Sequence, residues 1–122
     1  MKLHLTTADG RNFFTAYGPG YVKVGNVRHE RSIVVLPDRV IENWSAVSGE
    51  PLDETAVALL AKLGVEIVLL GTGESLAFPE PRVLRPLVEA GIGFEVMDTR
   101  AACRTYNILT AENRKVAAAL IL

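Results

Sequence analysis

Residues 65–107, VEIVLLGTGESLAFPEPRVLRPLVEAGIGFEVMDTRAACRTYN, read as strand, glycine turn, helix, strand and the start of a second helix. Residues 65–70 are almost wholly β-branched or aliphatic, with one charge, Glu66, near the start. Such a run fits a strand covered on both faces, and a parallel neighbour is expected. After Gly71-Thr72-Gly73, Pro79 and Pro81 delay the next helix. It is expected to run to Ala90, with Val83, Leu84, Leu87 and Val88 inward and Gly91 as its stop. Pro86 has no amide to donate, so it either lies in the first helical turn or kinks the helix. Residues 92–97 return as a strand, and Asp98 or Thr99 caps a helix through about Leu109.

Outward from this unit, Asp53 offers a cap, and Val57, Leu60 and Ala61 recur at helical spacing before Gly64, which predicts a helix over 53–63. Residues 45–51 form a loop. Residues 21–25, 31–36 and 39–44 read as strands, the last two joined by a Pro37-Asp38 turn. Residues 3–21 alternate loosely and carry Phe13, Phe14, Tyr17 and Tyr21 between breakers at 8–10 and 18–20, so this end is β as well. A last strand over 115–122 follows a turn at 111–113. The order predicts one α/β domain over residues 1–122: three layers, a central mixed sheet with helices on both faces, and an N-terminal β layer packed against it.

Composition limits the function. At 122 residues the chain buries a sizeable core without metals or disulfides, and its 49% hydrophobic content points to a full core or to an interface with a partner. Lys and Arg total 13 against 14 Asp and Glu, so no general field exists to hold nucleic acid. Aromatic residues beside Arg11, Lys23, Arg28 and Arg31 suit strand packing better than a stacking platform for single strands, and the run 28–31 reads as a solvated strand end or turn. His4 and His29 are too few and too isolated for a zinc cluster, and the single Cys103 has no disulfide partner in the chain. No stretch approaches the roughly 20 apolar residues of a membrane span, and residues 1–12 lack a secretory apolar core. A cytoplasmic setting is expected.

Parallel strands end at one edge of their sheet, so the turn at Gly71-Thr72-Gly73 and the pair Asp98-Thr99 should face each other across it. Glycine amides gathered as a nest, with the free amides of a helix start, would suit a small anion. A Walker loop needs Lys-Ser or Lys-Thr after its glycines, and none follows; a Rossmann turn needs glycine or alanine where Leu76 stands. No cofactor is therefore expected. Asp98 reads as a helix cap before it reads as a catalytic acid. Cys103 lies between Arg100 and Arg104, a setting of two cations that favours a thiolate, yet it is flanked by Ala102 and lacks a nearby histidine, so it reads as a small core residue. Tyr106 shares a face with Ala102 and Leu109 and is expected to pack, with its hydroxyl at the rim.

One further pattern covers nearly the whole chain. Trp44 at a strand end, the GTG of 71–73, Pro79, Gly91-Ile92, the MDT of 97–99, Thr105-Tyr106-Asn107 and the closing RKVAAAL of 114–120 together resemble the family of small domains of unknown function to which mitochondrial complex I assembly factor three belongs, with bacterial and archaeal relatives. The resemblance implies a Mth938-like three-layer α/β fold and supplies no catalytic residues. It implies a shared surface at Gly71, Thr72, Gly73, Asp98, Thr99, Tyr106 and Asn107. The expected function is a non-enzymatic, cytoplasmic protein-interaction domain that helps assemble or maintain a respiratory-type membrane complex, with protein partners, and self-association open. The alternative is a small-anion or nucleotide-like ligand binder or enzyme at the Gly71–Gly73 and Asp98 edge, with Arg104 or Arg100 holding the anion.

Overall fold

Glycines with positive φ at Gly20 (71°) and Gly25 (56°) let the chain double back twice. The result is an antiparallel sheet of β1 (Phe14–Gly18), β2 (Tyr21–Val24) and β3 (Val27–His29). The computed structural model describes residues 10–122, so the part of the expected N-terminal β run before residue 10 lies outside it. β4 (Ile33–Leu36) and β5 (Arg39–Ile41) form a second hairpin, followed by α1 (Glu54–Leu60) and β6 (Ile67–Gly71). A 3-10 turn at Pro81–Leu84 runs into α2 (Arg85–Glu89), and β7 (Gly93–Met97), α3 (Thr99–Ala111) and β8 (Val116–Leu120) complete the order.

The second sheet has the order β5-β4-β8-β6-β7. β6 is parallel to both its neighbours, while β4 is antiparallel to β5 and β8, so the sheet is mixed. Its strands serve two cores by alternation. Ile33, Val35, Leu69, Val116, Ala118 and Leu120 face Phe14, Tyr17, Cys103 and Tyr106, which belong to the β1–β3 sheet and α3. Val34, Leu36, Val68, Leu70, Ala117 and Ala119 face Trp44, Val57, Leu60 and Leu87, on the side of α1 and α2. This is the three-layer arrangement the sequence predicts, with helices on both faces and a β layer against one of them.

Local signals place most elements within a residue or two. Asp53 caps α1, its carboxylate accepting the Ala56 amide at 2.8 Å. Pro86 sits in the first turn of α2, one of the two positions open to it, because the 3-10 turn has already started the coil. Two readings need correction. The strand over 39–44 stops at Ile41, since Trp44 leaves the sheet to bury its ring under α1 and donate its indole N–H to the Ala56 carbonyl at 3.0 Å. Val88 does not face inward: it is 62% exposed. Val83 and Leu87 take the inner positions on either side of the change from 3-10 to α winding, and residue 88 then points about 100° away from Leu87. The run 28–31 contributes Arg28 and His29 to β3, and the Arg28 guanidinium lies 3.8 Å over the ring of Tyr21.

The sheet-edge crevice as candidate functional site

The C-terminal ends of β6, β7 and β8 meet at one edge, because β6 is parallel to both neighbours and the Ile121 amide continues the ladder to the Gly71 carbonyl at 2.9 Å. α3 starts directly after β7 and crosses this edge. Gly71 is what lets it come close: a Cβ there would sit 2.6 Å from Leu120 Cδ2, 3.2 Å from Ala102 Cβ and 3.3 Å from Thr99 Cα.

The polar groups of the turn are largely used within it. The Thr72 amide donates to the Met97 carbonyl at 2.9 Å, and the Thr72 hydroxyl donates to Ser75 O at 2.7 Å and accepts from the Ala77 amide at 3.1 Å. Gly73, at φ 101°, donates its amide to the Thr99 hydroxyl at 3.0 Å, and the Thr99 amide returns to the Gly73 carbonyl at 2.9 Å. The amides of Thr72 and Gly73 that an anion-binding nest would present are thus occupied. Asp98 caps α3, one carboxylate oxygen accepting the Ala101 amide at 2.9 Å while Arg100 Nη2 lies 3.9 Å from the other. Asp98→Ala is expected to lower stability by about 1 kcal/mol, measured by urea unfolding, through loss of that cap.

In front of these groups a crevice of about 650 Å³ opens, lined by Gly73, Thr99, Arg100 and Arg104 on one side, by Ser48 and Glu74, by Ile121 and Leu122, and by the β1–β2 turn from Tyr17 to Gly20. Of the residues the sequence singles out, Gly73, Thr99, Arg100 and Arg104 line it; Gly71, Thr72 and Asp98 lie at the same edge without lining it. Tyr106 and Asn107 point elsewhere. Tyr106 is fully buried, meets Phe14 edge-on with ring centroids 5.1 Å apart, and donates its hydroxyl to the Asn12 carbonyl at 2.9 Å. Asn107 accepts the Phe14 amide and donates to the Phe14 carbonyl, both at 2.9 Å, as a neighbouring strand would. This pair fastens the N-terminal β layer to α3. The Tyr17–Gly20 wall escapes sequence reading: residues 18–20 announce a turn, but only the packing of the β1–β3 sheet on α3 brings it to the crevice.

Cys103 is fully buried, and burial pushes its thiol from 9.0 up to about 12, with nearby Arg104 opposing only in part. The folded chain therefore disfavours the thiolate, and the corresponding stability is present below the unfolded thiol's pKa and is lost as pH rises from there toward 12. Burial raises the Tyr106 phenol in the same direction. Urea unfolding repeated at increasing pH is expected to show stability declining above about pH 9, and a thiol reagent at neutral pH should modify Cys103 only after denaturation. A second hollow of about 340 Å³, bordered by Arg11, Arg39, Arg114 and Lys115, lies at the other end of α3, where Arg11 donates to the Thr110 carbonyl. Cations there complement the carbonyl end of the helix. Among the described residues, no three His, Cys, Asp or Glu side chains converge as a metal site, and no helix is long and apolar enough to cross a membrane.

Residues 14–121 match the family described as protein of unknown function (DUF498/DUF598). The chain is 38% identical over 104 residues to NADH dehydrogenase (ubiquinone) 1 alpha subcomplex assembly factor 3 of Bos taurus, covering 84% of this chain and 55% of that protein. The chain thus spans about half the length of that relative. Among solved structures, a Bordetella parapertussis protein superposes with a TM-score of 0.85 at 39% identity, over 94% of this chain and 98% of that one. A Bordetella pertussis protein solved by NMR as a Mth938-like domain superposes with a TM-score of 0.78 at 35% identity, over 99% of this chain and 92% of that one.

Proposed function

Because the chain belongs to the DUF498/DUF598 family of proteins of unknown function, we propose that it is a protein-interaction domain that catalyses no reaction and assists the assembly or maintenance of a respiratory-type membrane complex. The observation that carries this reading is the 38% identity to a complex I assembly factor across 84% of the chain. The site chemistry is in keeping with it: Asp98 is engaged as a cap, the turn amides of Thr72 and Gly73 are spent within the fold, and Cys103 is buried as a neutral thiol. Apolar side chains meanwhile stand in solvent, with Phe78 75% and Leu76 52% exposed in the loop after β6. On this reading the chain acts from the cytoplasmic side. Affinity capture from native lysate of the source cell, with the recovered proteins quantified, should enrich NADH dehydrogenase subunits; a profile equal to that of an uncoupled matrix would argue against it.

The crevice gives a second reading specific support. Arg100 and Arg104 lie one helical turn apart, both exposed and both lining the 650 Å³ hollow, which suits a small carboxylate or phosphate. Thermal unfolding with phosphates, nucleotides and carboxylates tests it, since a specific ligand raises apparent stability by mass action. Stabilisation by one of these ligands that Arg104→Ala removes is the expected result, and a flat response across the panel would sink this reading.

A further inference from the structure

We propose that the free edge of β7 receives an extended segment of a partner protein as an added strand, and that this segment alternates apolar and basic residues; the proposal rests on the interaction reading and gives it a surface. β7 ends the order β5-β4-β8-β6-β7. The Gly93 amide donates to the Glu66 carbonyl at 3.0 Å, and the Met97 carbonyl accepts the Thr72 amide at 2.9 Å, so the odd-numbered residues of β7 turn their backbone groups toward β6. Alternation then directs the N–H and C=O groups of Phe94 and Val96 outward, where no described residue pairs with them. Such a row is a template for another strand.

The other edges are blunted. β3 and β5 have three residues each, and at β1 the Asn107 amide already pairs both backbone groups of Phe14. β7 has five residues, three of them half-buried apolar side chains (Phe94, Val96 and Met97), and a single charge, Glu95, which is exposed and in no ion pair among the described residues.

Glu95 decides which occupant fits. A second copy added antiparallel about the middle of β7 would set Glu95 against its own counterpart, and like charges directly opposite one another are unfavourable. A lysine or arginine at that position is favoured instead. On the opposite face, the Phe94 and Val96 side chains join the core beneath α2, so the residues flanking the basic one meet apolar surface. The recognised pattern is apolar, basic, apolar in extended form.

The test titrates the full chain, labelled with ¹⁵N, with a ten-residue peptide alternating valine or threonine with lysine, and with the same peptide carrying glutamate for lysine. In the free chain the amides of Phe94 and Val96 should exchange rapidly with solvent. The lysine peptide is expected to shift and protect those two amides, binding about fivefold more tightly than the glutamate peptide, a ratio set by one cross-strand charge contact. Glu95→Lys should reverse the preference without unfolding the chain, because its side chain is exposed. Slow exchange of both amides in the free chain, no response at β7 to either peptide, or an unchanged preference in Glu95→Lys would each overturn the proposal. If NADH dehydrogenase subunits are recovered equally by the wild type and by Glu95→Lys, the interaction reading stands and the β7 edge is not its surface.

Discussion

Asn107→Ala is expected to lower the unfolding free energy by about 2–5 kcal/mol, because it leaves a buried amide and a buried carbonyl of Phe14 without partners as well as deleting two hydrogen bonds. The bonds join residues 93 apart in sequence. Losing them should loosen the β1–β3 sheet from α3 before the central sheet opens, so exchange protection at Phe14 should fall more than at Leu69, in the middle of β6. Urea unfolding gives the total, and amide exchange gives its location. A loss under about 1 kcal/mol, or equal loss of protection in both sheets, would mean that the apolar contact of Phe14, Tyr17 and Tyr106 holds the layer without the asparagine.

Gly71 provides the second large effect. Its Cβ would approach three atoms on two elements, and one of them, Thr99 Cα at 3.3 Å, is backbone that cannot rotate away. Gly71→Ala should cost about 1–3 kcal/mol, and Gly71→Val more, through overpacking. Leu120 Cδ2, at 2.6 Å, is the nearest obstacle, so Leu120→Val combined with Gly71→Ala should cost less than the sum of the single changes. Gly25→Ala makes the control: φ is 56° there but the space is open, so its cost should stay near about 1 kcal/mol and arise from the backbone alone. Additive costs for the Gly71 and Leu120 pair would place the strain at Thr99 and α3 as a whole.

What could be read from the residues alone was what local chemistry decides. Asp53 and Asp98 cap helices because their carboxylates reach amides three residues on, and residues 67–71 form an inner strand because nothing in them tolerates water. The sheet edge was legible for the same reason, which is why Gly73, Thr99 and Arg104 appear in the crevice. Features set by distant partners were not. Gly73 looks like an open amide until Thr99, 26 residues later, brings its hydroxyl to it. Trp44 looks like a strand residue until α1 offers the Ala56 carbonyl, and Asn107 looks like a surface residue until β1 is laid against it. Val88 fails differently, since a helix that begins as a 3-10 turn shifts the phase on which its inner face was counted. The proposed function rests on resemblance across the chain, because the polar groups of the turn are occupied in holding the fold together.

The assembly role is tested most directly by the amount of assembled respiratory NADH dehydrogenase in cells of the source organism lacking this chain, resolved by native gel electrophoresis of membranes and compared with cells in which it is restored. Cells lacking the chain are expected to hold less mature complex, with smaller assembly intermediates accumulating and restoration by the wild-type chain. An unchanged amount of mature complex with no accumulated intermediates would contradict it.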